Sequence, residues 1–459
     1  MVAITLLSVF GMITLFLGFN KSKTALLPFA LVFLFICLVG NLYEFGQPLN
    51  YFSQMMQTTP VSVVFSSVIL LAALLTLPLS SKYLTDERAQ PAEYYAILMF
   101  SLVGAIMMTN FENIIMLFVG IEILSISMYV LAGSDKRNTR SNEAALKYFL
   151  MGAFATGILL FGVAMLYGAT GSFSVSGLAQ YISANAASPS PLLILGLCLV
   201  LVGVLFKVSA APFHFWTPDV YEGAPTFFTT FMSTVVKTAG FAAAYKLLSV
   251  TFIDMYLNWC YIVGGVAVLT LLISNISAVY QDSFKRMMAY SSISHAGYLL
   301  IAILAVNAQS QSAILFYALA YTTATVAAFG VLMKVSEQYK SESFTAFEGL
   351  AKQNPFLAFV LAVAMCSLAG IPLTAGFVGK LMVFLSAVES GYIGLIVIAV
   401  LMAVVGIYYY FKVIIAAYMR QNANAQTIEL DTYAKVTLAL ATLLTFLFGI
   451  APNLILSLI

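Results

Sequence analysis

The chain has 459 residues, of which 62% are apolar or aromatic and 8% are charged, and its formal net charge is +2. Soluble domains carry about 25% charged residues, so a chain this apolar has lipid as its main solvent. The small net charge provides no basic patch for nucleic acid. The four cysteines, Cys37, Cys198, Cys260 and Cys366, lack the spacing of a disulfide framework, a zinc site or an iron–sulfur cluster.

Apolar runs long enough to cross a bilayer follow one another along the whole sequence. A span needs about 20 apolar residues, and this rule predicts an all-α polytopic membrane protein with fourteen transmembrane helices. The first run has no basic residue before it and no small-residue cleavage site after it, which indicates a retained helix rather than a signal peptide. The predicted helices lie at 2–20, 24–43, 60–81, 93–109, 111–132, 143–169, 190–213, 224–249, 256–280, 286–306, 311–334, 355–388, 392–419 and 433–457.

Basic residues are concentrated in every second loop. Because loops rich in lysine and arginine face the cytoplasm, we expect a bacterial inner-membrane protein with both termini on the periplasmic side. The loops at 44–59, 170–189, 250–255 and 307–310 contain no lysine or arginine. The basic residues of the odd-numbered loops include Lys21, Lys23, Lys82, Arg88, Lys136, Arg137, Arg140, Lys285, Arg286, Lys334, Lys340, Lys352 and Arg420.

Helices four to thirteen divide into two groups of five, and an odd number of spans would insert the second group upside down. Each group has a long fourth helix that proline interrupts, at Pro212 and at Pro372. Broken helices at matching places in inverted halves indicate a transport site. The predicted divisions are a three-helix segment at 1–92, a first repeat at 93–249, a second, inverted repeat at 250–420 and a final helix at 421–459.

Four ionisable residues remain within predicted spans: Glu122 and Lys237 near the middle of theirs, and Lys207 and Lys380 on the two helices that proline interrupts. A charge at the centre of a span costs ~2.5–3.5 kcal/mol on insertion scales. A Glu122–Lys207 ion pair that only joins helices is one interpretation, but it leaves the other two lysines without an acidic partner. A buried lysine without such a partner can release its proton, which an arginine cannot do. The pattern therefore predicts a proton relay.

Further candidates are less specific. His295 lies inside a span among serines and is either satisfied by their hydroxyls or part of the relay. His214 follows the first break and would serve proton uptake on the cytoplasmic side. Glu112 and Lys246 lie near helix ends, where we expect them to reach the interface by snorkelling. Nucleotide, flavin and metal motifs are absent from the sequence, so the work must come from an ion gradient or a partner protein.

Three long motifs resemble the antiporter-like subunits of respiratory complex I. Across essentially its whole length, the chain is similar to the N-subunit family of bacterial NADH:quinone oxidoreductase, the counterpart of mitochondrial subunit 2. A lysine in the twelfth helix, where the M subunit has glutamate, and the lack of the L subunit's lateral helix favour this family. The motifs are at 213–225, 290–298 and 367–380.

The resemblance implies that the helix-five glutamate, Glu122, and the lysines Lys207, Lys237 and Lys380 translocate protons in response to quinone reduction in other subunits. FMN, iron–sulfur clusters and the quinone would belong to those subunits, with no cofactor on this chain, and other complex I membrane subunits would be its partners. Two alternatives stay open. One is a subunit of a multi-subunit sodium/proton antiporter or membrane-bound hydrogenase, and the other is a non-conducting scaffold.

Overall fold

The computed structural model describes residues 1–20, 23–81, 90–421 and 427–457. Within these ranges all fourteen predicted spans contain helix, so the predicted helical membrane fold is confirmed. Lys21, Lys82 and Arg88, which contributed to the predicted orientation, lie outside the described residues. The α-helices of these ranges are α1 (Val2–Leu17), α2 (Leu26–Tyr43), α3 (Pro60–Thr76), α4 (Pro91–Asn110), α5 (Ile114–Ala132), α6 (Thr139–Thr170), α7 (Val175–Asn185), α8 (Pro191–Lys207), α9 (Trp216–Gly223), α10 (Thr226–Phe231), α11 (Lys237–Lys246), α12 (Tyr256–Val279), α13 (Phe284–Ala305), α14 (Ser310–Tyr339), α15 (Leu350–Gln353), α16 (Pro355–Ala369), α17 (Ala375–Glu389), α18 (Ile393–Met419), α19 (Thr432–Ile450) and α20 (Asn453–Leu456).

The described helices differ in how they meet the bilayer. Ten of them are long and apolar enough to cross a membrane, and α1, α8 and α16 are shorter apolar helices. The apolar stretch of α14 is completely buried and that of α13 nearly so, whereas α2, α6 and α18 expose most of theirs. Exposed apolar surface is stable only in lipid or against a partner, so α2, α6 and α18 lie on the outside of the bundle. The buried helices α13 and α14 form its centre.

Two predicted loops contain regular structure that the sequence did not indicate. Strands β1 (Leu49–Tyr51) and β2 (Met56–Thr58) form an antiparallel hairpin in the loop at 44–59. Helix α7 occupies much of the loop at 170–189 and buries Val175, Leu178 and Ile182. Strands of three residues are too short to show an alternating pattern, and an 11-residue amphipathic helix is too short to span. These elements add a small cap to the helical bundle.

Helices α4 and α5 cross with their backbones almost in contact, which fixes the helix that carries Glu122. A Cβ atom built on Gly104 would lie 2.6 Å from the carbonyl oxygen of Gly120 and 2.7 Å from the backbone nitrogen of Leu124. A Cβ atom on Gly120 would lie 3.0 Å from the carbonyl oxygen of Gly104. Only glycine permits this approach, because backbone atoms cannot move aside as a flexible side chain can.

We predict that Gly104→Ala destabilises the protein by about 1–3 kcal/mol, the usual cost of overpacking. Gly157→Ala on α6 is the matched control, because a Cβ atom there meets no atom within 4 Å and alanine favours helix by about 0.5–1 kcal/mol over glycine. Thermal denaturation of the detergent-solubilised complex, followed by size-exclusion chromatography, compares the two variants. Equal midpoints would show that the crossing tolerates a side chain.

Candidate functional site

The structure places the predicted Glu122 and the three lysines on four different helices, with the lysines buried and Glu122 half-buried. Glu122 is on α5, Lys207 is the last residue of α8, Lys237 is the first of α11, and Lys380 is on α17. The three lysines are each less than 10% exposed. They do not form one cluster but are connected through neighbouring helices, with His295 of α13 between Lys237 and Lys380.

Lys207 binds a serine and not the glutamate. Its Nζ donates to Ser125 Oγ at 2.8 Å, and Ser125 is one helical turn after Glu122 on α5. Among the described residues Glu122 forms no ion pair within 4.0 Å, and its buried Oε1 has no hydrogen-bond partner. The direct Glu122–Lys207 ion pair is therefore not formed in this structure. The carboxyl end of α8 provides further stabilisation, because the partial negative charge of a helix C-terminus favours a cation.

The first predicted break follows Lys207 immediately. Ser209 has a left-handed backbone with φ of 64°, and α8 ends two residues earlier than it. The backbone groups released by the break find partners elsewhere: Ala211 N–H donates to Thr270 Oγ1 at 2.9 Å, and Trp216 Nε1 donates to the Phe206 carbonyl at 3.2 Å. The predicted span at 190–213 is thus shorter than expected, because its last turn is replaced by these side-chain contacts.

Lys237 lies in the bundle centre and also has no carboxylate partner in the described chain. It follows a π-helical turn at Met232–Val236, a distortion that occurs frequently at functional sites. Its Nζ donates to the backbone carbonyl of Ser292 on α13. Gly240, one turn later, lies against Val208 at the end of α8, so the helices that carry Lys207 and Lys237 are in contact.

His295 is held between two tyrosines rather than among the serines that its sequence neighbourhood suggested. Its Nδ1 lies 2.7 Å from the hydroxyl of Tyr317 on α14, and its Nε2 lies 3.1 Å from the hydroxyl of Tyr410 on α18. The Tyr410 hydroxyl also lies 2.5 Å from Ser291 Oγ. A neutral imidazole has one donor and one acceptor nitrogen, so this arrangement can take up a proton at one nitrogen and release it from the other.

Lys380 binds the carbonyl groups that the second break exposes. Its Nζ donates to the carbonyls of Leu368 and Ala369 at 2.8 and 2.9 Å, the last residues of α16. Gly370 follows with φ of 87°, and a Cβ atom there would lie 3.0 Å from Lys380 Cδ. The ammonium also lies 5.1 Å from the centre of the Tyr298 ring, within cation–π range. The Tyr298 ring is 6.2 Å from that of His295, which connects Lys380 to the histidine.

Other charged residues form ordinary ion pairs near the helix ends. Lys246 binds Glu112 at 2.6 Å, so these two residues near helix ends form an ion pair with each other. Lys285 and Lys334, which the sequence assigned to loops, are buried in the ends of α13 and α14. Their carboxylate partners are Glu342 and Asp431, at 3.1 and 3.0 Å.

His214 and Asp219 lie after the first break. His214 is buried, and its Nδ1 has no hydrogen-bond partner in the described ranges. Asp219 joins α6 to α13 through ion pairs with Lys147 and Arg286, at 2.7 and 3.0 Å. Burial raises the pKa of the Asp219 carboxyl, but the hydrogen bonds from Lys147 and Arg286 outweigh it and hold the pKa below its usual range.

Sequence and structure comparisons place this arrangement in a known family. A family described as NADH:quinone oxidoreductase/Mrp antiporter, transmembrane, matches residues 112–406. NADH-quinone oxidoreductase subunit N of Cytophaga hutchinsonii is 39% identical over 99% of this chain and 98% of its own length.

Two solved structures share the fold over nearly the whole chain. A chain of respiratory complex I from Thermus thermophilus has a TM-score of 0.86 and 34% identity, and the match covers 99% of this chain and 98% of that one. A chain of an archaeal membrane-bound sulfane sulfur reductase has a TM-score of 0.89 and 25% identity, covering 100% and 95%. The chain therefore belongs to the NADH-quinone oxidoreductase subunit N family, within the wider family of NADH:quinone oxidoreductase and Mrp antiporter membrane subunits.

Proposed function

We propose that the chain is a proton-translocating membrane-arm subunit of NADH:quinone oxidoreductase. Its relay consists of Glu122, Lys207, Lys237, His295 and Lys380. Quinone reduction in other subunits supplies the work, and those subunits hold the FMN, the iron–sulfur clusters and the quinone. This chain has no redox site of its own and lies in the bacterial inner membrane with both termini periplasmic.

The observation that carries this proposal is the partner of each central lysine. Lys207, Lys237 and Lys380 bind a hydroxyl or backbone carbonyls. An ammonium and a neutral amine both donate to such oxygens, so the partners accept either charge state. A carboxylate would favour the ammonium strongly. Lys246 and Lys285 of the same protein differ from these three lysines, because each pairs with a glutamate that stabilises its charged form.

The contacts support a continuous path for the relay between α5 and α17. Ser125 connects the Glu122 helix to Lys207, and α8 is packed against α11 beside Lys237. The Ser292 carbonyl then connects Lys237 to α13, where His295 and its tyrosines continue towards Lys380. The path crosses the boundary between the proposed repeats at 93–249 and 250–420, with one broken helix in each.

The two alternatives predict different partners or different mutant behaviour. A sodium/proton antiporter or hydrogenase subunit has this fold too, but full-length identity of 39% to a subunit N protein favours complex I. Purification in mild detergent with flavin and iron–sulfur subunits distinguishes the two. A non-conducting scaffold would have no reason to bury three lysines without carboxylates, at ~2.5–3.5 kcal/mol each.

We expect Arg137→Cys to react with a membrane-impermeant maleimide only from the cytoplasmic side, because the loop at 133–138 is basic. Ser188→Cys, in a loop without lysine or arginine, should react only from the periplasmic side. Both side chains are exposed, and labelling of intact cells and of inverted vesicles compares them with the unmodified chain. Reaction of Arg137→Cys in intact cells would refute the orientation.

Glu122→Gln and Lys207→Met should each impair NADH-driven proton pumping, and the double variant should be little worse than the poorer single one. The reason is that Glu122 acts on the reaction through Lys207, and coupled residues are not additive, typically by ~0.5–3 kcal/mol. Proton uptake by inverted vesicles measures all three variants. If the fractional losses of the two single variants multiply in the double variant, the two residues act independently.

Lys237→Arg and Lys237→Met separate a relay from a counter-charge. Arginine keeps the charge but does not titrate, and methionine keeps the length without the charge. As a relay residue, Lys237 requires that both variants lose pumping while the complex still assembles on native gels. An arginine variant that pumps at the normal rate would assign Lys237 to charge balance alone.

A further inference from the structure

An open cavity of about 1280 Å³ lies on the face that carries the basic loops. Its wall includes the joint between α9 and α10 at Ala224 and Thr226, the first turn of α13 at Lys285, and Glu342. None of these residues belongs to the relay described above. The cavity nevertheless reaches the beginning of the helical segment at 226–251, which carries Lys237.

Lys285 and Glu342 form a pair at the edge of this cavity. The Lys285 side chain is 3% exposed and that of Glu342 is 29% exposed, with 3.1 Å between Nζ and Oε1. Lys285 also donates to the Ala224 carbonyl at 2.7 Å, and Thr226 Oγ1 donates to Glu342 Oε1 at 3.3 Å. A backbone hydrogen bond from Phe284 to the Glu342 carbonyl, at 2.9 Å, fixes the segment. The carboxylate therefore faces the cavity, and the ammonium lies behind it.

A stripe of hydroxyl groups leads from this pair to Lys237. Its residues are three or four positions apart, which places them on one face of the helix. From Thr226 to Lys237 the helix rises by about 16 Å, at ~1.5 Å per residue. Thr230 Oγ1 donates to the Thr226 carbonyl at 2.8 Å, and Ser233 Oγ donates to the Thr230 carbonyl at 2.9 Å. Thr230, Ser233 and Thr234 donate to carbonyls of their own helix, so their hydroxyl oxygens remain able to accept from water. The members are Thr226, Thr229, Thr230, Ser233 and Thr234, and all except Thr226 are fully buried.

We propose that the cavity, the Glu342 carboxylate and this stripe form the route by which protons from the basic-loop side reach Lys237. Glu342 takes a proton from water in the cavity and passes it to water along the hydroxyls, and the Lys237 amine accepts it. Lys285 is a positioning residue, because it holds the carboxylate at the mouth of the route. This inference rests on the proposed function, since it supplies the proton that the relay moves.

The same cavity contains a second lysine–glutamate pair, which forms no ion pair with the stripe or with Glu342 among the described residues. Lys334, whose side chain is fully buried, lies 3.1 Å from Glu337, which is 34% exposed, and both line the cavity. Lys334 also binds Asp431, the residue before α19. Glu337→Gln therefore removes a similar charge from the same cavity without touching the route.

The experiment compares Glu342→Gln, Glu342→Asp and Glu337→Gln in the intact complex, in inverted vesicles whose medium faces the cavity. We expect Glu342→Gln to lower NADH-driven proton pumping at least about tenfold. This is less than the ~10²–10⁴-fold contribution of a positioned acid or base, because water can partly replace the carboxylate. Glu342→Asp should restore most of the rate, and Glu337→Gln should match the unmodified complex. Equal losses in Glu342→Gln and Glu337→Gln would overturn the route.

A second pair of variants tests the stripe itself and covers the case in which Glu342→Gln does not assemble. Thr230→Val removes one hydroxyl of the stripe. Thr442→Val removes a buried hydroxyl on α19 that makes the same kind of bond, to the Leu438 carbonyl at 2.7 Å. Slower pumping in Thr230→Val alone supports the route, and normal pumping in it contradicts the route.

Lys237→Met separates failure of this inference from failure of the proposed function. If Lys237→Met stops pumping while Thr230→Val and Glu342→Gln pump normally, the relay stands and protons reach it another way. If Lys237→Met itself pumps normally, the proposed function fails, and the route to Lys237 fails with it.

Discussion

The rest of this structure depends on the cost of placing a lysine in a low-dielectric bundle without a carboxylate. Insertion scales put that cost at ~2.5–3.5 kcal/mol for each lysine, and the protein offsets it with uncharged oxygen atoms, from a serine hydroxyl at Lys207 and from backbone carbonyls at Lys237 and Lys380. Lys380 binds the last two carbonyls of α16, and Lys207 ends α8. Both sites are at helix C-termini, where unpaired carbonyls carry partial negative charge.

This constraint explains why the helices are broken where they are. An uninterrupted helix has no free carbonyl in the middle of the bilayer, because each one accepts from the N–H four residues later. Interruption at Gly370 and Pro372 exposes the carbonyls of Leu368 and Ala369 to Lys380. Lys237 lacks such a break and instead follows a π-helical turn, binding the carbonyl of Ser292 on a neighbouring helix.

Local features of the sequence predicted the spans and marked the candidate site residues. Apolar run length gave the helices, Pro212 and Pro372 marked the breaks, and a charge inside an apolar run made Lys237 and Lys380 candidates. The hydrogen-bond partners of the buried residues could not be predicted from the sequence, because the packing of distant segments determines them. Tyr410 reaches His295 across 115 residues and Lys207 reaches Ser125 across 82, and no local pattern encodes either contact.

Two lysines whose position was predicted wrongly show the same limit of sequence reasoning. Lys285 and Lys334 were assigned to loops because they lie at the limits of the predicted spans 286–306 and 311–334, yet both are buried and paired in helix ends. Periodicity specifies which residues are in a helix, but burial near a helix end depends on which segment covers it. The hairpin at 49–58 and helix α7 were missed because they are shorter than the patterns that reveal strands and spans.

The central claim is that the buried lysines change their protonation state during turnover. Infrared difference spectroscopy of the intact complex, with ¹⁵N-labelled lysine and with NADH as the trigger, detects ammonium bands that shift with the isotope. The account predicts isotope-sensitive lysine bands that are lost in Lys380→Met while the bands of quinone reduction remain. Identical lysine bands in Lys380→Met and in the unmodified complex would show that the Lys380 ammonium keeps its proton and acts as a fixed charge.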